Sequence, residues 1–173
     1  MADIDPAALY RELAPAVLGY LRTQSVEDPY ETLGEVFFQV TRDLPRFAGD
    51  AAAARRWVFT IAHHRVVDDA RRRARRPRTT DRHPDRDLDR DPDRDLWDAS
   101  VPIAEPPEPF DDELLRAVQA LTPDQREVIA LRFVADLSLD QVATITERPV
   151  GAVKALQHRA LANLRQAVSC AAL

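Results

Sequence analysis

One central stretch of the chain limits its architecture more than any other feature. Residues 78–112 read RTTDRHPDRDLDRDPDRDLWDASVPIAEPPEPFDD, a segment rich in Asp, Arg and Pro that has no apolar period. Such a segment cannot bury enough apolar surface to offset its ordering entropy, so it predicts a flexible acidic linker. The chain therefore divides into a domain at 1–77, a linker at 78–112 and a second domain at 113–173.

The first 77 residues contain start and stop signals typical of three helices. Asp-Pro pairs at 5–6 and 28–29 each offer an N-cap followed by proline at the first helical position. A third helix is predicted over 53–76, where Pro77 ends it, and the stretch PRFAGD before it reads as a loop. The inward-facing apolar residues would be Leu9, Leu13, Val17, Leu21, Leu33, Val36, Phe37, Val40, Trp57, Ile61 and Val67.

The last 60 residues contain the capping and turn signals of a helix-turn-helix. Capping boxes are predicted at 122–125 (TPDQ) and 138–141 (SLDQ), and the short break TERP precedes a longer helix from Val150. The fold class is therefore all-α, with a small helical bundle and a helix-turn-helix domain. Val142, Ala143, Ile145, Val153, Leu156 and Leu164 would form the seam of the second domain.

The long C-terminal helix lacks acidic residues over its first 16 positions. Residues 150–165 hold one Lys, two Arg and one His but no Asp or Glu, in a chain of 29 acids and 24 strong bases. Lys154, His158 and Arg159 share one side of this helix, where an acid would repel a phosphate backbone. A solvated surface helix is the plainer alternative.

The net charge alternates along the chain. It is −5 over residues 1–50, +7 over 51–78, −8 over 79–112 and +1 over 113–173. Since counterion release depends on local contacts with phosphates, an acidic chain can still bind DNA. The Arg run at 71–78 fits that interpretation, although an Arg-rich helix end also complements the helix dipole.

Several other classes of protein are disfavoured by composition. One cysteine, Cys170, excludes a disulfide framework, and adjacent His63 and His64 with Asp68 make a poor metal site because neighbouring helical side chains diverge. Catalytic motifs and a phosphate-binding glycine loop are missing from the sequence, so neither an enzyme nor a cofactor is expected. An apolar run of membrane-spanning length and a signal pattern are also missing, so we expect a cytoplasmic protein.

Two blocks of the sequence resemble a known family. GEVFFQVTRDLPRFAGDAAAARRWVFTIAHHRVVDDARRRAR resembles region 2, and LTPDQREVIALRFVADLSLDQVATITERPVGAVKALQHRALANLR resembles region 4, of bacterial extracytoplasmic-function (ECF, group 4) RNA polymerase sigma factors. The resemblance implies a subunit that binds core polymerase, reads minus-10 and minus-35 promoter elements, and melts the promoter by capturing a flipped base. It also implies a cognate anti-sigma factor, and a linker that threads into the polymerase cleft.

The resemblance assigns roles to individual residues. Polymerase binding, through the clamp helices of the largest subunit, falls on Glu31, Glu35, Val36 and Phe37. Minus-10 reading falls on Phe47, Ala48, Gly49, Asp50, His64, Arg65, Arg71 and Arg72, and minus-35 reading on Lys154, Ala155, His158 and Arg159.

The chain departs from the family pattern at three places. Gly34 and Thr32 stand where the family often has Gln and Leu, His64 replaces a usual Asn, and residues 147–149 replace a Gly-containing turn. Two other interpretations stay open at this point. One is a stand-alone helix-turn-helix regulator that dimerises or senses a ligand, and the other is a protein that binds a polymerase subunit without DNA.

Overall fold

The computed structural model describes residues 4–75 and 112–171, with side chains up to residue 167. All but the last residue of the predicted linker lies outside the described residues. Within them the secondary structure is helical, and the elements fall into the two groups that the sequence predicts on either side of the linker.

The first domain is a bundle of three long helices. Helix α1 spans Pro6–Thr23, α2 spans Pro29–Asp43 and α3 spans Ala51–Arg75, with a 3₁₀ turn at Leu44–Arg46 after α2. Asp5 and Asp28 cap α1 and α2 as predicted, because their carboxylates accept hydrogen bonds from backbone amides of the first turn. Helix α3 begins two residues earlier than predicted. Asp50 precedes it and accepts a hydrogen bond from the Ala53 amide at 2.8 Å.

The core of this bundle matches the predicted apolar stripes. The buried members include all eight residues predicted for α1 and α2, together with Ile61 of α3. Trp57 and Val67 are only half-buried. The rings of Tyr20 and Phe59, both fully buried, meet edge-on with centroids 6.0 Å apart.

The second domain contains four helices. Helix α4 spans Asp112–Gln119, α5 spans Pro123–Ile129, α6 spans Leu139–Ile145 and α7 spans Val150–Ala171. Helix α5 runs into a π-helical segment at Ala130–Val134, which no local sequence signal predicts. The predicted seam is confirmed for Val142, Ala143, Ile145 and Val153, which are buried, while Leu156 and Leu164 are half-buried.

The two capping boxes have different outcomes. At Ser138 both halves are present, since its hydroxyl accepts from the Gln141 amide and the Gln141 side chain accepts from the Ser138 amide. At Thr122 the hydroxyl accepts from the Gln125 amide at 3.4 Å. The Gln125 side chain accepts instead from Asn163 of α7 at 3.1 Å. It therefore ties α5 to the long C-terminal helix.

The two domains pack against each other. The π-helical segment and α4 contact α1, and α6 contacts α3. One buried apolar cluster runs through both domains, from residues such as Leu13 and Val17 in α1 to Val128 and Leu131 in the second domain.

Candidate nucleic-acid interface

Helix α7 presents its predicted minus-35 residues to solvent. Lys154, Ala155, His158 and Arg159 are all exposed, while Val153 and Ala160 on the opposite side are fully buried. Three cationic or titratable side chains therefore project from one side of the first part of the helix. That is the side of a recognition helix that would enter a major groove.

The turn before α7 fixes the orientation of that helix relative to α6. Glu147 has a φ of 53°, a left-handed conformation that usually favours glycine. The Arg148 guanidinium forms two hydrogen bonds to the Asp124 carboxylate, at 2.7 and 3.2 Å. The backbone amide of Arg148 also donates to the Ala143 carbonyl of α6 at 3.0 Å. These contacts hold the turn although it lacks the family's glycine.

The loop before α3 is built around a stacked aromatic pair. The rings of Phe47 and Trp57 lie with centroids 4.8 Å apart and planes inclined by 21°. A Cβ atom on Gly49 would lie 2.8 Å from Cζ of Phe47 and 2.9 Å from Cβ of Ala53. A Cβ there would force the Phe47 ring or Ala53 to shift, so glycine at this position allows the loop to close over the Phe47 ring. The neighbouring residues Ala48, Gly49 and Asp50 are exposed.

Two members of the predicted minus-10 set also have structural contacts. The carboxylate of Asp50 accepts from the Ala53 amide and so caps α3. Arg65, half-buried, donates from Nη2 to the Gln39 side chain of α2 at 3.0 Å. These contacts fix the directions in which the loop and the middle of α3 project.

The remaining minus-10 candidates lie along exposed parts of α3. His64, Arg71 and Arg72 are exposed, and Arg71 forms a long ion pair of 3.7 Å with Asp68 one turn earlier. Exposed pairs of this kind contribute little stability, so Arg71 can exchange that partner for a phosphate at small cost. The structure therefore places the basic end of α3 on the surface, at the opposite end of the helix from the loop at 47–50.

Of the four residues predicted to bind polymerase, two are buried in the core and two reach the surface. Val36 and Phe37 are 0% and 4% exposed and lie in the core of the first domain, where the Phe37 ring meets Tyr10 edge-on at 4.7 Å. A partner could not touch their side chains without unpacking α2, so the expectation of direct contact by these two residues is corrected. Glu31 and Glu35 of the same helix are half-buried and reach the surface.

His63 has a contact that the sequence did not suggest. Its Nδ1 atom lies 2.8 Å from Oε1 of Glu127 in α5, and both side chains are largely buried. The two residues are 64 positions apart, so helical periodicity could not connect them. Among the described residues, no group of three His, Cys, Asp or Glu side chains is arranged to hold a metal ion. No helix in the described ranges is long and apolar enough to cross a membrane.

Comparison with protein-family models matches both domains. Residues 9–76 match sigma-70 region 2 and residues 117–166 match sigma-70, region 4. The two matches coincide with the helical bundle and the helix-turn-helix domain. They define a transcription initiation factor of the sigma-70 class.

Comparison with individual proteins shows which family within the sigma-70 class the chain belongs to. The chain is 31% identical to the ECF RNA polymerase sigma factor RpoE of Cereibacter sphaeroides, over 94% of this chain and 86% of the relative. It is 30% identical to the ECF sigma factor ShbA of Streptomyces griseus, over 76% of this chain and 66% of the relative's length. The chain belongs to the ECF family of RNA polymerase sigma factors.

Solved structures share the fold across both domains. The sigma factor RpoE from Bartonella quintana, crystallised with the anti-sigma factor NepR, aligns over 94% of this chain and 96% of its own, with a TM-score of 0.66 and 18% identity. CnrH, solved in complex with the cytosolic domain of CnrY, aligns over 95% of this chain and 88% of its own, with a TM-score of 0.60 and 19% identity.

Proposed function

We propose that this ECF sigma factor binds core RNA polymerase and directs it to promoters with separate minus-10 and minus-35 elements. The observation that carries the proposal is the pair of exposed basic surfaces, one on each domain, in a chain whose overall charge is negative. A bacterial sigma factor works beside polymerase and chromosome, so we place it in the cytoplasm. It acts without a catalytic site or cofactor of its own.

The minus-35 element is read by α7. Lys154, His158 and Arg159 project from its outer side, with the short side chain of Ala155 between them. Lysine and arginine can contact phosphates or guanine edges, and a small apolar residue can approach a thymine methyl group. No acidic residue lies between 150 and 165, so the helix can approach the DNA backbone without like-charge repulsion.

The minus-10 element is read by the loop at 47–50 and by α3. An unstacked base needs an aromatic or apolar surface and a few polar groups near it. Phe47 supplies the aromatic ring and Gly49 the close backbone approach, while His64 and Arg65 supply polar groups from α3. Arg71 and Arg72, near the far end of α3, then hold phosphates further along the DNA. Base capture of this kind opens the duplex with binding energy alone.

Helix α2 contacts polymerase through Glu31 and Glu35, and the clamp helices of the largest subunit are the expected partner. Buried Val36 and Phe37 hold α2 on the bundle and act only indirectly. An anti-sigma factor that covers these surfaces is the proposed regulator. This matches the complexes in which the structurally similar RpoE of Bartonella quintana and CnrH were solved.

Polymerase binding is tested by charge reversal on α2. We expect Glu31→Lys with Glu35→Lys to weaken binding to purified core polymerase about tenfold or more, since two like-charge contacts replace two attractive ones. The matched control is Glu113→Lys with Asp140→Lys, which reverses two exposed acids outside α2. Equal binding by wild type and the α2 variant would contradict the assignment, provided that circular dichroism shows both to be folded.

A further inference from the structure

A serine in the turn between α1 and α2 lies between arginines from two other helices. Ser25 comes directly after the C-cap of α1 and is exposed. Its hydroxyl accepts a hydrogen bond from Nη1 of Arg126 in α5 at 3.2 Å, and its carbonyl accepts one from Nη1 of Arg73 in α3 at 3.0 Å. Three elements that are distant in the sequence therefore meet at one hydroxyl that is open to solvent.

The backbone of Ser25 holds its side chain in this position. Its φ of 55° lies in the left-handed region, which residues other than glycine adopt at a cost. The amide of Ser25 donates to the Arg22 carbonyl at 3.3 Å, so the chain turns sharply at the end of α1. The hydroxyl is therefore presented by a hydrogen-bonded turn that points it towards the two guanidinium groups.

The positive charge of Arg126 is poorly compensated. Arg126 is half-buried, and its hydrogen bond to Ser25 goes to a neutral oxygen. Within the described residues, no acceptor lies within hydrogen-bonding distance of its buried Nε atom. Burial lowers the pKa of Arg126, and the positive charge of Arg73 lowers it further. Both causes disfavour the charged guanidinium, so an anion placed between the two arginines would be attracted by both.

Arg73 can bind an added anion without losing its present contacts. Its Nε atom pairs with Oδ2 of Asp69 one turn earlier at 2.9 Å, and its Nη1 atom donates to the Ser25 carbonyl. A guanidinium has five N–H donors, so others remain for a further oxygen. A cation at the end of α1 also complements the helix dipole, which accounts for the contact of Arg73 with the carbonyl. It does not account for Arg126 on the hydroxyl.

We propose that Ser25 is a phosphorylation site and that Arg126 and Arg73 bind the phosphate group it carries. A serine/threonine kinase transfers the γ-phosphoryl group of ATP to Oγ, the hydroxyl proton is released and ADP leaves. The phosphate brings about two negative charges and three strong acceptor oxygens. Charge-assisted hydrogen bonds then replace the neutral one that Arg126 makes now, and they are roughly twice as strong. The site involves neither DNA nor polymerase, so it does not rest on the proposed function.

Negative groups near Ser25 oppose the phosphate less than the arginines favour it. The carboxylate of Asp28 accepts hydrogen bonds from two backbone amides at the start of α2, and Glu27 is exposed, where solvent and salt screen its charge. At the end of α1 the Arg22 carbonyl already accepts from the Gln119 side chain at 3.0 Å. The helix dipole is weaker than a charge-assisted hydrogen bond. We therefore expect the phosphate to stabilise the folded chain.

The test compares the phosphorylated and unmodified full chains. Phosphoserine is introduced at position 25 by genetic code expansion, and thermal unfolding is followed by circular dichroism. Phosphoserine should raise Tm by about 2–4 °C, the shift that one net charge-assisted hydrogen bond gives in a chain of this size. Arg126→Gln should remove this gain and Arg73→Gln should reduce it. Arg56→Gln, at an exposed position near the start of α3, is the matched control and should keep the full gain.

A second readout separates direct contact from a general change in stability. The second pKa of the phosphate, followed by phosphorus-31 NMR, should lie below that of an exposed phosphoserine, because neighbouring guanidinium groups favour the dianion. Arg126→Gln should raise this pKa towards the usual value, and Arg56→Gln should leave it low. A phosphate pKa that is the same in all three proteins would overturn the proposal, as would a phosphoserine that leaves Tm unchanged, lowers it, or raises it equally in Arg126→Gln.

A third measurement identifies the source of the phosphate group. The unmodified protein and its Arg126→Gln variant are unfolded in potassium phosphate and in potassium chloride at equal ionic strength. Any difference in Tm between the two salts should be the same for both proteins, because a general salt effect does not depend on this site. A gain in inorganic phosphate that Arg126→Gln removes, with no further gain from phosphoserine, would overturn the covalent assignment in favour of a free phosphate-bearing solute.

Discussion

The ring of Phe47 stacks on the ring of Trp57, with centroids 4.8 Å apart, and Gly49 closes the loop over this pair. Sequence patterns alone assign Trp57 to the core, yet it is half-buried and supports the residue proposed to meet a flipped base. The loop is thus held in place before DNA arrives.

Gly49→Ala tests this loop. The added Cβ would lie 2.8 Å from the Phe47 ring, so the ring must shift away from Trp57. We expect promoter opening to slow about tenfold, because one base–aromatic stack is worth about 1–3 kcal/mol. Fluorescence of 2-aminopurine placed in the minus-10 element reports the opening. Glu113→Ala, at an exposed position of α4, is the control and should open promoters normally. Opening at the wild-type rate in Gly49→Ala would show that the loop position is unimportant.

Charge on the recognition helix is tested by salt dependence. If Lys154 contacts one phosphate, Lys154→Ala should reduce the slope of log affinity against log salt by about 0.9. Lys154→Glu with Arg159→Glu should abolish transcription that depends on the minus-35 element, while polymerase binding persists. Arg116→Glu, on exposed α4, is the control and should leave both unchanged. Loss of polymerase binding together with transcription would point to misfolding and remove support for a DNA-reading role.

Gly34 offers a test of helix stability. It lies exposed within α2, and a Cβ there would meet nothing within 4 Å. Gly34→Ala should therefore stabilise the first domain by about 0.5–1 kcal/mol, since glycine is a poor helix former. Urea denaturation followed by circular dichroism measures the change. If Gly34→Ala were less stable than wild type, the helix propensity of residue 34 would not be what limits the stability of this domain.

The cap of α6 sets the geometry of the helix-turn-helix. Ser138 and Gln141 exchange side-chain and backbone hydrogen bonds at 2.8 and 3.2 Å. Ser138→Ala should cost about 1 kcal/mol in the free energy of unfolding. Thr144→Ala, which removes an exposed hydroxyl bonded within the same helix, should cost less. Equal destabilisation of the two variants would argue against a special role for the cap.

Local signals in the sequence predicted most of the helical boundaries. The Asp-Pro pairs, the Ser138 box and the apolar stripes each act within a few residues, so their physics is visible without tertiary structure. The burial of Val36 and Phe37 was likewise implied by their place in the α2 stripe. The resemblance to a family nevertheless assigned them to a partner surface, and burial decides against direct contact.

Features that depend on distant residues could not be predicted. The sequence raised His63 only as a weak metal candidate, because Glu127 lies 64 positions away and joins it only through domain packing. The π-helical turn at Ala130–Val134 and the left-handed Glu147 also result from packing that no local pattern reveals. At Glu147 the chain lacks the glycine that the family's turn often contains. The contact between Arg148 and Asp124 holds this turn in place without it.

Transcription from a randomised promoter library tests the central claim most directly. Purified protein is mixed with bacterial core RNA polymerase, and specific transcripts are sequenced against core polymerase alone. We predict transcripts that share two upstream elements, one near −10 and one near −35, with the second absent for Lys154→Glu with Arg159→Glu. Transcripts no more specific than those of core polymerase alone would contradict the account.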